Sequence, residues 1–163
     1  MNWLAERIKS AFAKGWWTAT EGQSYLRNQT VVDKSSSGDV VVKSVRGPMS
    51  NPPAWCTFVG GKWQVTLTTG EIPSQGWMHE MAHGWFGFSD EEYNCVNTSA
   101  GVCVRALLIG GTGEGFQKFC DDSNCKQPSV GPCWPRIIGK HSDWKHPGPG
   151  GTMPTCNVTV TNQ

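Results

Sequence analysis

Two histidines four residues apart, His79 and His83, enclose a glutamate and carry the residue types of a catalytic zinc site. On a helix this spacing presents both imidazoles from one face, where they can bind one zinc ion. Glu80 directly follows the first histidine, and a carboxylate beside a zinc-activated water can take its proton. The motif therefore predicts a zinc-dependent hydrolase, with His79 and His83 as metal ligands and Glu80 as the general base.

The residues around this motif predict the elements that position it. Ser74 can cap the start of a helix carrying the two histidines, and Gly84 and Gly87 are expected to end that helix. Upstream, residues 62–68 alternate polar and apolar side chains, which is typical of a strand with one buried face. A strand, a short loop and a zinc-bearing helix together indicate an α+β domain.

A catalytic zinc usually has three protein ligands, so one more is expected close to the two histidines. Carboxylates occupy positions 90–92, and Asp90 alone has Gly87 three residues before it and Tyr93 three residues after it. With the HExxH motif, this segment resembles the aspzincin (deuterolysin-type) metallopeptidases, over about residues 60–94. The resemblance implies that Asp90 is the third zinc ligand and that Tyr93 stabilises the oxyanion of the tetrahedral intermediate.

The family pattern leaves alternatives open. Phe88 stands where aspzincins have Thr, and Asn94 stands where they have Gly. The segment also resembles metzincins of the snapalysin kind, although its glycine and aspartate lie one residue later than in that group. His141 and His146, in a Pro/Gly-rich stretch, are expected on a loop, from which either could approach the metal.

Length and composition indicate one domain over residues 1–163. Residues 1–15 have the pattern of an amphipathic helix, and residues 141–163 form a Pro/Gly-rich tail that ends in a short strand. A further short strand is expected at 40–42. The net charge of +1 argues against a nucleic-acid partner, and no apolar stretch approaches the length of a membrane span.

Cysteines are frequent in the second half of the chain, which indicates an oxidising compartment. Disulfides that staple the domain are the favoured interpretation, with a structural zinc site as the rival, although the spacings lack C-x2-C pairs. The number of cysteines is odd, so at least one is unpaired, intermolecular or bound elsewhere. They are Cys56, Cys95, Cys103, Cys120, Cys125, Cys133 and Cys156.

The sequence as a whole predicts a small, zincin-like α+β domain, stapled by disulfides, with a short sheet and a zinc-binding HExxH helix. We expect a secreted or delivered zinc endopeptidase that acts on a protein or peptide. The first residues do not have the pattern of a signal peptide. We therefore expect the chain to be a trimmed mature domain, a toxin domain of a larger secreted bacterial protein, or cargo of a phage or other particle. The alternative is a disulfide-rich structural or binding module of a virion or surface appendage with a non-catalytic zinc site.

Overall fold

The computed structural model describes residues 1–88, 96–97, 101–105, 117–125 and 131–161. Within them, helices and strands are interspersed along the chain, which confirms the α+β class. The helices are α1 (Asn2–Arg7), a π-helical turn (Ile8–Phe12), α2 (Ala13–Ala19), α3 (Ser74–Phe86) and α4 (Cys133–Lys140). The strands are β1 (Asn28–Val32), β2 (Val40–Val42), β3 (Ala54–Val59), β4 (Lys62–Leu67), β5 (Val96–Asn97), β6 (Gly101–Cys103), β7 (Gln117–Lys118) and β8 (Asn157–Thr161).

The strands form three small sheets. In the first, β4 lies between β2, to which it is parallel, and β3, to which it is antiparallel. The second pairs β1 with β8 in parallel, and the third has the order β5-β6-β7. The strands expected at 40–42 and 62–68 are confirmed, the latter ending at Leu67. The short strand expected near the end of the chain is β8.

The N-terminal helical run extends further than the expected residues 1–15. The segments α1, the π-helical turn and α2 follow one another without a break, so the chain is helical to Ala19. Its apolar face is buried, with Phe12 and Trp16 almost fully enclosed. Arg7 donates hydrogen bonds of 2.8 Å to the backbone carbonyls of Gly70 and Ile72, just before α3. The N-terminal helix therefore packs on the domain and fixes the entry to the motif-bearing helix.

Helix α3 carries the HExxH motif through the centre of the domain. It begins at Ser74, close to the expected start, but the N-cap residue is Pro73, so Ser74 is the first helical residue and not the predicted cap. The helix continues through Gly84, so that glycine does not end it. Gly84 instead allows close packing, because a Cβ there would lie 2.9 Å from the Cβ of Trp63 on β4. The helix ends before Gly87, whose φ of +62° is a left-handed cap that favours glycine.

Aromatic side chains form the core around the end of α3. Phe86 stacks on Trp16 with ring centroids 5.7 Å apart, and Phe119 meets Phe86 edge-on at 5.2 Å. Trp134 of α4 packs edge-on against Phe119. These contacts join α2, α3 and α4. Among the described residues, no helix has both the length and the apolar character that crossing a bilayer requires.

Candidate functional site

The two histidines of the motif point their rings toward one another from successive turns of α3. The Nε2 atoms of His79 and His83 lie 3.1 Å apart, and the ring centroids are 4.8 Å apart. Zinc–nitrogen bonds of about 2.0–2.1 Å in a tetrahedron place two nitrogen ligands about 3.3–3.4 Å apart. The observed separation therefore fits two ligands of a single metal ion.

The opposite nitrogen of each ring is held by a backbone carbonyl. His79 Nδ1 donates to the carbonyl of Val104 at 3.0 Å, and His83 Nδ1 donates to the carbonyl of Phe88. A neutral imidazole that donates through Nδ1 presents a lone pair at Nε2. Two such lone pairs at 3.1 Å repel one another unless a cation lies between them. Metal-binding histidines commonly have this second hydrogen bond, which fixes the tautomer and the ring orientation.

Val104 and Phe88, whose carbonyls hold these rings, are both buried. Val104 follows the last residue of β6 and is fully buried, and its carbonyl also accepts a hydrogen bond of 3.4 Å from the buried Gln75 side chain. Phe88 follows the glycine cap of α3 and is 2% exposed. Neither residue was predicted to have a role, because a backbone carbonyl leaves no signature in the sequence.

Glu80, the predicted general base, lies on α3 with 9% of its surface exposed. Its carboxylate acts electrostatically on Cys56 of β3. The pKa of the Cys56 thiol is raised from 9.0 to about 11, mainly by burial and secondly by the negative charge of Glu80. A hydrogen bond with the Gly84 backbone lowers this pKa by a smaller amount. Cys56 is therefore a neutral thiol at physiological pH, placed beside the carboxylate expected to move protons.

The predicted third ligand, Asp90, and the predicted oxyanion stabiliser, Tyr93, lie outside the described residues. The described part of the site therefore comprises His79, Glu80 and His83. All three occupy α3, and the spacing of the two histidines brings their rings together.

A second group of metal-ligating side chains includes Cys103, the residue before Val104, whose carbonyl accepts the hydrogen bond from His79. The Sγ atoms of Cys103, Cys120 and Cys133 all lie within 4.8 Å of one another, and the three residues are at most 4% exposed. Cys133 is central, with its Sγ 3.4 Å from that of Cys120 and 3.7 Å from that of Cys103. We refer to these residues as the cysteine triplet. The triplet could hold a metal ion.

The disulfides expected from the sequence are not formed among the six described cysteines. The shortest sulfur separation in the triplet, 3.4 Å, is well beyond the roughly 2.05 Å of a disulfide bond. Cys95 lies outside the described residues. The convergence of the triplet was not predicted, because its members come from β6, the segment after β7 and the start of α4, without the C-x2-C spacing that marks many zinc sites.

The two tail histidines pack elsewhere in the domain. His146 stacks on Trp134 at 4.7 Å, and its ring nitrogens lie 3.0 Å from a Glu21 carboxylate oxygen and 3.1 Å from one of Asp121. Burial acts to raise the pKa of Asp121, but hydrogen bonds from Ser123 and His146 outweigh it and lower that pKa.

His141 stacks on Trp144 with ring centroids 4.7 Å apart and meets Phe86 edge-on. Among the described residues, neither tail histidine joins a cluster of three or more metal-ligating groups. Both fasten the Pro/Gly-rich tail to the domain.

Comparison of the chain with protein-family models, with curated proteins and with solved structures finds no match. The function of the chain is therefore inferred from the geometry of the site itself.

Proposed function

We propose that this protein is a zinc-dependent endopeptidase whose metal is bound by His79 and His83. The observation that carries the proposal is the 3.1 Å separation of their Nε2 atoms, combined with a backbone carbonyl at each Nδ1. The donor set is also suitable, because neutral imidazole is a preferred zinc ligand. Zinc bound there supplies a Lewis acid that activates water and polarises the carbonyl of the scissile peptide bond.

Glu80 is the proposed proton carrier. Glu80 directly follows His79 on α3. In the proposed role its carboxylate would accept a proton from the attacking water and deliver it to the leaving amine. Glu80 is 9% exposed, so its carboxylate is largely shielded from bulk water. The neighbouring Cys56, kept neutral by its raised pKa, adds no competing negative charge.

The resemblance to aspzincins completes the proposed site. It supplies Asp90 as the third ligand and Tyr93 as the donor that stabilises the oxyanion, and it makes the domain zincin-like. The substrate class is a protein or peptide. Secretion, or delivery by a larger toxin or particle, remains the setting proposed from the sequence.

The test combines zinc content with hydrolysis of a fluorescently labelled casein. We expect Glu80→Gln to retain its zinc and to lose about 10²–10⁴-fold in turnover, the usual contribution of a general base. Glu6→Gln is the matched control, since Glu6 is 71% exposed in an ion pair with Lys9, and its turnover should equal that of the parent. Unchanged turnover in Glu80→Gln would contradict the mechanism.

Zinc content also separates the enzyme from a non-enzymatic module. The double variant His79→Ala/His83→Ala should hold one zinc ion fewer than the parent. An equal zinc content in the two proteins would refute the proposed site. A parent that binds zinc through these histidines but cleaves no protein or peptide would favour the structural or binding module, whose zinc has no catalytic role.

A further inference from the structure

We propose that the cysteine triplet is a second zinc site with a structural role, separate from the site on α3. It draws one ligand from each of three segments that are distant in the sequence: Cys103 ends β6, Cys120 follows β7, and Cys133 begins α4. A metal ion at this point would join all three segments.

The sulfur positions suit tetrahedral coordination. Zinc–sulfur bonds of about 2.3 Å in a tetrahedron place two sulfur atoms about 3.8 Å apart. The distances from Cys133 Sγ are 3.4 Å to Cys120 and 3.7 Å to Cys103, so small shifts of side chains suffice. Among the described residues no fourth histidine, cysteine or carboxylate belongs to the group.

A cation and a backbone hydrogen-bond donor lie beside the sulfur atoms of the triplet. A guanidinium nitrogen of the buried Arg105 lies 4.0 Å from Cys133 Sγ, and the backbone N–H of Cys133 donates to Cys120 Sγ at 3.4 Å. Cys133 is also the first residue of α4, where the helix dipole stabilises negative charge. These groups offset part of the negative charge that three thiolates bring to one Zn²⁺, and binding releases up to three protons.

A disulfide does not account for the arrangement as well as a metal ion does. Cys133 lies close to both partners and can bond to only one of them, which would leave the third thiol of the triplet enclosed in the core. One metal ion engages all three sulfur atoms at once. Soft thiolate ligands select zinc over magnesium or calcium, which prefer oxygen.

The position of the triplet also connects the two sites. Cys103 immediately precedes Val104, whose carbonyl accepts the hydrogen bond from His79 Nδ1. Anchoring Cys103 therefore holds the carbonyl that orients a ligand of the first zinc, and this consequence rests on the proposed function. The second site itself does not depend on it.

The experiment counts metal ions and identifies their ligands in protein purified under reducing conditions. We expect the parent to bind two zinc ions, and Cys133→Ser and His79→Ala/His83→Ala to bind one each. In cobalt-substituted protein, the near-ultraviolet thiolate-to-metal charge-transfer band should persist in the histidine variant and disappear in Cys133→Ser. Cys156→Ser is the matched control, because Cys156 is a buried cysteine outside the triplet, and it should retain both ions and the band.

A second measurement uses only the parent and is independent of whether a variant folds. Alkylation followed by peptide mapping should find Cys103, Cys120 and Cys133 protected in the zinc-loaded protein and modified once a chelator removes the metal. Equal modification with and without the chelator would overturn the proposal, as would a charge-transfer band that survives in folded Cys133→Ser. A disulfide within the triplet in metal-free parent, unaffected by zinc, would overturn it too. Failure of the α3 site alone would leave one zinc ion with the thiolate signature, so the two proposals fail in distinguishable ways.

Discussion

Replacing Gly87 by alanine perturbs the backbone that holds His83 without touching any proposed ligand. Gly87 has a φ of +62°, and the residue after it, Phe88, supplies the carbonyl for His83 Nδ1. A left-handed conformation costs a residue with a Cβ about 1–2 kcal/mol. Alanine recovers about 0.4–1 kcal/mol by restricting the unfolded chain. We therefore expect Gly87→Ala to lower the free energy of unfolding by about 1 kcal/mol.

The added methyl group also meets a neighbour. Its carbon would lie 2.2 Å from Nζ of Lys140, but this atom is the end of a flexible, exposed side chain and can move aside at little cost. The larger expected effect is on the affinity of the site for zinc. If relief of the strain shifts the Phe88 carbonyl, His83 loses its orienting partner, and loss of such a partner lowers metal affinity by about 10–100-fold.

Gly60→Ala is the matched control. Gly60 has a φ of +58°, lies in the turn between β3 and β4, and has nothing within 4 Å of the position of an added Cβ. Urea denaturation of chelator-treated protein should give similar losses of stability for the two variants. Competition with a chromogenic chelator should show weakened zinc binding only in Gly87→Ala. Equal zinc affinity in the two variants would refute the proposed role of the Phe88 carbonyl.

Three further outcomes are expected. Asp90→Ala should release zinc at chelator concentrations that the parent and Glu91→Ala withstand, because only the aspartate is a proposed ligand. Retention of zinc by Asp90→Ala at those concentrations would contradict the aspzincin assignment. The pKa of Cys56 is raised from 9.0 to about 11, so its alkylation at about pH 8 should be roughly a hundredfold slower than that of an ordinary thiol. Mass spectrometry should show the rate of alkylation rising with pH up to that pKa. Trp16→Ala should lower the free energy of unfolding, measured by urea denaturation, by about 3–5 kcal/mol, because this fully buried ring stacks in the core. Trp17→Ala, at a partly buried position, should lower it less.

Local patterns in the sequence predicted the elements that carry the HExxH motif. The alternation in residues 62–68 predicted β4, which ends at Leu67. The start of α3 was predicted to within one residue, since Ser74 was expected as its cap and is its first helical residue. Gly84 was misleading, because a glycine inside a helix has the same identity as one that ends it. Gly84 is required by a contact with another element. Trp63 of β4 packs so close to it that a side chain at position 84 would clash.

The remainder of the candidate site depends on contacts between distant segments. The carbonyls of Val104 and Phe88 orient the two histidines, yet every residue has a backbone carbonyl, so their role leaves no compositional trace. The cysteine triplet converges from three segments whose separations carry no recognisable metal-binding spacing. Arg105, 2% exposed beside Cys133, would have been assigned to the surface from its type alone.

The parallel pairing of β1 with β8 has a consequence for how the protein is made. Asn28 pairs with Asn157, a separation of 129 residues. A ribosome that adds about 5–20 residues per second needs roughly 6–26 s to cover that distance. Throughout that interval the edge of β1 that later pairs with β8 is unpaired. Such an edge can act as a template for aggregation with other chains. Biogenesis therefore includes a period of vulnerability, in which a chaperone that shields residues 28–32 of the nascent chain would increase the yield of correctly folded protein.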